Sequence, residues 1–204
     1  MYKDKFNLAV SSIILAAGLW ILVFLIRPID FWVLMSLSTA TLLIVSVLIN
    51  RDGFSVHINV AMVLIGILSA VLLYTFFYSG FQLAKLNPIF REGVSRVYGL
   101  RSSTSSLIIG LALVFPIAPG EEIYWRGLIQ RRFMEKLGAS TGLVLAACAY
   151  ALVHLPTLNP PLILTAFIGG AVWGYIYKET RSLVPAIISH ILFDLLIFII
   201  APLS

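Results

Sequence analysis

The sequence predicts an all-α, polytopic transmembrane bundle of seven to eight helices, and two observations predict it. Of 204 residues, 60% are hydrophobic and only 11% are charged, whereas a soluble domain carries about 25% charged residues. The mean hydropathy of +1.02 points the same way. The apolar residues also run continuously instead of alternating, which excludes a transmembrane barrel. Helices are then the only way to satisfy the backbone in lipid. An integral, multi-pass membrane protein is expected, in the plasma membrane if the source is bacterial.

A spanning helix needs about 20 mostly apolar residues. The runs 6–26, 31–50, 57–80, 105–130, 141–157, 162–178 and 184–203 qualify, with an eighth if 82–100 dips into the bilayer. The first run is too long for a signal-peptide core and no small-residue cleavage site follows it, so a retained helix is expected. Pro28 and Asp30 break the first pair of spans, and Arg51-Asp52-Gly53 breaks the second. The segment 82–101 mixes Leu86, Ile89, Phe90, Val94, Val97 and Tyr98 with Lys85, Arg91, Arg96 and Arg101. It reads as interfacial and amphipathic, interrupted near Pro88 and Gly93. Its roles are a headgroup anchor or a substrate-docking shelf. Gly170 and Gly174 form a G-x-x-x-G pattern that lets helices approach closely.

The net charge of +5 fits the positive-inside bias of membrane proteins and implies no nucleic-acid partner. With the N-terminus inside, Lys3, Lys5, Arg51, Arg131, Arg132, Lys136, Lys178 and Arg181 gather on that face. Arg27 and the four cations of the amphipathic segment fall on the other. The single cysteine, Cys148, lies within an apolar run and has no internal disulfide partner.

Six ionisable residues sit within or at the edge of apolar spans: Glu121, Glu122, Arg126, His154, His190 and Asp194. Charges at bilayer depth are costly and mark function. Three pairs stand at i, i+4 and share a helix face: Glu122–Arg126, Tyr150–His154 and His190–Asp194. Glu122 and Arg126 can form an ion pair inside their helix. Glu121 is turned about 100° away and stays free to project into a cavity. Separate environments give two acids separate roles, so the chemistry goes to Glu121, and Glu122 and Arg126 support it. Tyr150 packs against or orients His154. Asp194 orients His190, ligates a metal, or donates as a protonated acid.

Rival motifs fail on context. The zinc-protease helix H-E-x-x-H is absent. Gly138-Ala139-Ser140-Thr141-Gly142 matches G-x-S-x-G, but no strand precedes it as a nucleophile elbow requires. Gly138 as helix terminator and Ser140 or Thr141 as the next N-cap explain it better.

Glu121-Glu122-Ile123-Tyr124-Trp125-Arg126 is E-E-x-x-x-R, Tyr150 to His154 is close to F-x-x-x-H, and His190 to Asp194 is H-x-x-x-[N/D]. In this order on successive membrane helices, they resemble the CAAX protease and bacteriocin-processing family, which contains the type II CAAX prenyl endopeptidases. The resemblance covers roughly residues 83–204. It divides the chain into 1–81, N-terminal helices without identifiable catalytic residues, and 82–204, a CAAX protease-like catalytic region. It implies an intramembrane endopeptidase in which Glu121 activates water together with His154. His190 and Asp194 bind the oxyanion or a metal, and Glu122, Arg126 and Tyr150 support the site. Tyr150 replaces the family's usual Phe, and Asp194 replaces the Asn of the eukaryotic members.

Glu121, His154, His190 and Asp194 could hold Zn²⁺ with a position open for water, so a metalloprotease is one expectation. A metal-free glutamate base is the other. The expected substrate is a membrane-associated protein or peptide, such as a prenylated tail or a bacteriocin-like leader. Two other functions share the pattern: a non-catalytic immunity or scaffold protein, and a proton-coupled transporter. The charges crowd the C-terminal half without the inverted repeat common in transporters. The sequence sets no oligomeric state.

Overall fold

Short polar residues start most of the helices. In the computed structural model, which describes residues 2–101 and 104–203 except the side chains of 2–4, Asp30 Oδ1 accepts from the backbone N–H groups of Trp32 and Val33 at 2.9 and 3.1 Å. Asn59, Asn87, Ser105 and Asn159 each accept from an N–H two or three residues ahead. Such side chains satisfy donors that a helix start leaves unpaired. Pro88 and Pro160 follow two of these caps, where the missing N–H costs nothing.

These starts define eight helices among the described residues: α1 (Tyr2–Ile21, widening to a π-helical stretch at Leu22–Ile26), α2 (Phe31–Ile49), α3 (Val60–Ala84), α4 (Pro88–Gly99), α5 (Ser106–Leu137), α6 (Ala139–Leu152), α7 (Pro160–Thr180) and α8 (Val184–Ile200). Six are long and apolar enough to cross a membrane, and α8 is a shorter apolar helix. The all-α polytopic bundle stands, and the chain is an integral multi-pass membrane protein.

Four local expectations change. α5 runs to Leu137, seven residues past the expected end, because Arg131 and Arg132 both pair with Glu135 at 2.9 and 2.8 Å and carry the helix onward. Gly138 does end α5, at φ +91, but α6 starts at once. Ser140 and Thr141 therefore lie inside its first turn and are not N-caps. Gly93 does not interrupt α4; a Cβ there would sit 2.7 Å from Pro161, so the glycine lets α4 lie against α7. α6 stops at Leu152, which leaves His154 in the following turn rather than on the helix.

α5 is the central element. It packs against α1, α2, α6, α7 and α8, while α3 leans mainly on α8 and keeps Leu64, Leu68 and Leu72 outward. Two π-helical stretches, Leu113–Ile117 and Ile123–Gln130, bracket one turn of α-helix that carries Glu121 and Glu122. Pro116 in the first stretch lacks an N–H, so the hydrogen-bond ladder must slip there.

The bundle has one strongly basic end. Lys5 and Arg131 reach Asp52 at 3.0 and 3.2 Å, Arg132 bonds the Asn50 side chain, and Ser55 bonds the Arg181 carbonyl. Lys3, counted toward this end in the sequence, lies outside the described side chains. Asp52 is held below the ordinary aspartate range. Partial burial pushes its carboxyl up, but the Lys5 bond, its own backbone and the Arg131 and Arg132 charges outweigh that.

Candidate active site

Glu121 and Glu122 are adjacent, buried and differently employed. Glu122 Oε1 takes a 2.8 Å ion pair from Arg126 and a 2.8 Å hydrogen bond from Nδ1 of His190. Arg126 also donates to the Gly170 carbonyl at 3.2 Å and lies 5.0 and 5.3 Å from the ring centres of Tyr150 and Trp173. One turn on, Gln130 repeats the contact by donating to the Gly174 carbonyl at 2.7 Å. The G-x-x-x-G pair thus turns two carbonyls toward two polar side chains of α5. A Cβ at Gly170 would lie 3.0 Å from Tyr150, and one at Gly174 would lie 2.8 Å from Gln130 Oε1.

Glu121 faces the other way. Its Oε2 accepts a 2.5 Å hydrogen bond from the Tyr150 hydroxyl, while Oε1 has no hydrogen-bond partner among the described residues. The residue lines a cavity of about 160 Å³, large enough for several waters. Tyr150, His154, Trp173, His190 and Asp194 line the same cavity, and Trp32, Val94, Tyr98 and Phe198 supply an apolar wall. Five residues singled out in the sequence therefore share one space, and Glu122 and Arg126 stand behind it.

His190 is fixed on two sides. Its ring stacks on Trp173 at 3.8 Å and 17°. Trp173 is itself tied by its indole N–H to Ser189 Oγ at 3.1 Å. Asp194 Oδ2 lies 3.5 Å from His190 Nε2, long for a hydrogen bond. The carboxylate that orients this histidine is thus Glu122, with Asp194 a looser neighbour on the Nε2 side.

His154 differs from what its sequence context suggests. Its Nδ1 is 2.8 Å from the Tyr150 carbonyl, which can only accept, so the proton sits on Nδ1. The lone pair on Nε2 accepts from the indole N–H of Trp20 at 2.9 Å. Both ring nitrogens are therefore occupied, and in this arrangement His154 has none for a water or a metal.

This bears on zinc. A zinc site needs three or four converging donor atoms. His154 offers none, and His190 has spent Nδ1 on Glu122. Among the described residues no three His, Cys, Asp or Glu side chains are arranged to hold a metal ion. The expected set of Glu121, His154, His190 and Asp194 does not fit such a site.

Several contributors were missed in the sequence. Gln130 was findable, because it continues the Glu122–Arg126 face by one more i+4 step. Trp20 and Phe24 of α1 were not, since aromatic residues in an apolar span look like packing. Phe24 packs on His154 with ring centres 5.8 Å apart.

Comparison with known proteins adds one finding. No curated protein and no solved structure matches the chain. Residues 103–196 match the family model of the type II CAAX prenyl endopeptidases, Rce1-like. The match leaves out α1 to α4 and encloses Glu121, Glu122, Arg126, Tyr150, His154, His190 and Asp194. The matched segment, which carries the whole charged constellation of this membrane bundle, is thus similar to the type II CAAX prenyl endopeptidase Rce1-like family.

Proposed function

We propose that the protein is an intramembrane endopeptidase that hydrolyses a peptide bond of a membrane-associated protein or peptide, with Glu121 as general base. The observation that carries the reading is the asymmetry of Glu121: one oxygen is held by Tyr150 and the other is unpartnered in the cavity it shares with His190. A base must reach the proton it removes directly or through one water, and Oε1 is placed to bind that water.

In this reading the water oxygen attacks the scissile carbonyl carbon as its proton passes to Glu121. Negative charge grows on the carbonyl oxygen. His190, held through Nδ1 by Glu122, turns Nε2 toward Asp194, and a proton at that position stabilises the oxyanion. Glu121 then returns its proton to the leaving amine, which breaks the C–N bond. Arg126 holds Glu122 in place. The metal-free form of the mechanism is favoured because the donor atoms do not converge. Candidate substrates are a prenylated tail, in keeping with the family, or a bacteriocin-like leader.

The test compares new protein termini in membranes containing wild type with those containing Glu121→Gln at equal abundance. Termini should vanish in the variant, while those of wild type persist after treatment with a zinc chelator. Identical profiles for wild type and Glu121→Gln would overturn the peptidase reading in favour of a scaffold. Proton flux that depends on Glu121, without cleavage, would favour a transporter.

A further inference from the structure

We infer that the cleft at the basic end of the bundle is a binding site for a phosphate group, held by Tyr177 and Arg181 at the end of α7. The cleft has a volume of about 340 Å³ and shares no lining residue with the cavity of Glu121. Asp52, Ser55, Arg131 and Glu135 line it together with Tyr177 and Arg181. Its two carboxylates are already taken. Asp52 meets Lys5 and Arg131 at 3.0 and 3.2 Å, and Glu135 meets Arg131 and Arg132 at 2.9 and 2.8 Å. Each nitrogen of Arg131 is engaged, on Glu135, Gly53 and Asp52, so this residue supplies charge more than a donor. Two groups remain. Tyr177 is 4% exposed, yet its hydroxyl has no hydrogen-bond partner among the described residues, although a buried tyrosine hydroxyl ordinarily finds one. Its oxygen is within electrostatic reach of Arg131, Arg181, Glu135 and Arg132, which places it on the cleft side of the ring. Arg181 lies four residues on, and its guanidinium has no ion-pair or hydrogen-bond partner among the described residues. Lys5, Arg131, Arg132 and Arg181 are four cations against two carboxylates, which leaves two positive charges in excess.

The fold holds Arg181 under strain. It ends α7 at φ +53, the left-handed region that favours glycine or asparagine at a helix end. A residue so placed persists only where its surroundings over-determine it. The loop before α3 does this. Ser55 donates to the Arg181 carbonyl, and the Leu183 N–H donates to the Ser55 carbonyl at 3.0 Å. Ser182 Oγ accepts from the His57 N–H at 3.0 Å and donates to the His57 carbonyl at 3.1 Å. Glycine at this position would end the helix without strain and present nothing to the cleft, whereas arginine brings a fork of donors beside the unpartnered hydroxyl. That fork matches the oxygens of a phosphate, and a phenol adds a further donor. The cleft also lies where phosphates are. α2, α5 and α7 are each long and apolar enough to span, and each ends beside it, at the depth of the lipid headgroups. A lipid phosphodiester and a free phosphate present the same oxygens to the site. The site does not depend on the peptidase reading.

The experiment uses the full chain in dodecyl maltoside, a detergent without phosphate, after phospholipid has been removed as checked by a phosphorus assay. Phenylglyoxal modifies arginine guanidiniums, and peptide mass mapping reads the rate at each one. Arg51 is exposed and does not line the cleft, so it serves as the reference on the same basic end. Short-chain phosphatidylglycerol and inorganic phosphate are the two probes, added separately at millimolar concentration. At least one should slow modification of Arg181 about tenfold while Arg51 changes less than about twofold. Protection by the lipid alone identifies a headgroup ligand, protection by inorganic phosphate alone identifies a soluble one, and protection by both identifies the phosphate group itself; each supports the site. Equal protection of Arg51 and Arg181 would overturn it, because diffuse attraction between a basic face and an anion would then suffice. So would failure of both probes to protect Arg181. A second measurement removes a single oxygen. Tyr177→Phe should weaken binding of the protecting probe at least about tenfold, as for loss of a hydrogen bond to a charged group, while Arg51→Gln should weaken it less than about twofold. Wild-type affinity in Tyr177→Phe would overturn the inference, since the buried hydroxyl would then have no part in binding. Should that variant fail to accumulate, the protection pattern of the wild type decides.

Discussion

Replacing Arg126 by Met should be among the most destabilising single changes in this chain. Arg126 and Glu122 are 2% and 0% exposed and 2.8 Å apart. Both polar contacts of Glu122 fall on Oε1, and Oε2 has no partner. Without the guanidinium the carboxylate keeps only His190 Nδ1. Removing one partner of a buried ion pair costs about 3–5 kcal/mol, because the remaining charge is uncompensated. The Gly170 carbonyl also loses its donor, and the Tyr150 and Trp173 rings lose a cation. For a chain of this size each kcal/mol moves Tm by about 2–4 °C, so the single variant should melt about 6–20 °C lower. Glu122→Gln combined with Arg126→Met removes both charges and should recover at least about half of that loss. Thermal unfolding in one detergent, followed by tryptophan fluorescence, reads all three proteins. A double variant as unstable as Arg126→Met would refute the reasoning, since packing and not the stranded charge would then set the loss.

Three further outcomes follow from the same contacts. Tyr150→Phe deletes the hydroxyl 2.5 Å from Glu121 Oε2; a hydrogen bond to a charged group contributes about 1.5–3 kcal/mol, so kcat on an identified peptide should fall about 10- to 100-fold with KM little changed. Gly174→Leu forces a side chain against Gln130 and should lower Tm through a loss of about 1–3 kcal/mol, whereas Gly80→Ala, with nothing within 4 Å of its Cβ, should leave Tm unchanged or slightly raised. Asp52 is held below its ordinary value, so its contribution to stability is full above the unfolded pKa of about 3.9 and is lost as pH falls through the lower folded value. The advantage of wild type over Asp52→Asn should follow that course in a pH series and shrink with salt, because the site is solvent-exposed.

The helices were legible because the solvent that selects them is simple: a continuous apolar run in lipid must be a helix. The charged positions were legible for the same reason, since Glu121, Glu122, Arg126, His190 and Asp194 have no excuse for being there except each other. What the sequence concealed is what geometry adds between helices. Trp20 is 134 positions from His154, and nothing in an apolar span distinguishes a tryptophan that donates its N–H from one that merely fills space. Gly93 looked like a break because flexibility and close approach use the same residue. The end of α6 at Leu152 was hidden because Val153, His154 and Leu155 continue an apolar pattern through a turn.

The ladder between α5 and α7 also sets a schedule for biosynthesis. Arg126 and Gln130 find their carbonyl partners 44 positions later, and Glu122 meets His190 after 68. At about 5–20 residues per second, Arg126 and Gln130 wait roughly 2–9 s and Glu122 roughly 3–14 s after their own synthesis for their final partners. α5 must spend that interval beside the insertion machinery or in a wet cleft, and a ribosome stalled after α6 would leave behind a fragment that the membrane's quality control should recognise by those same three side chains.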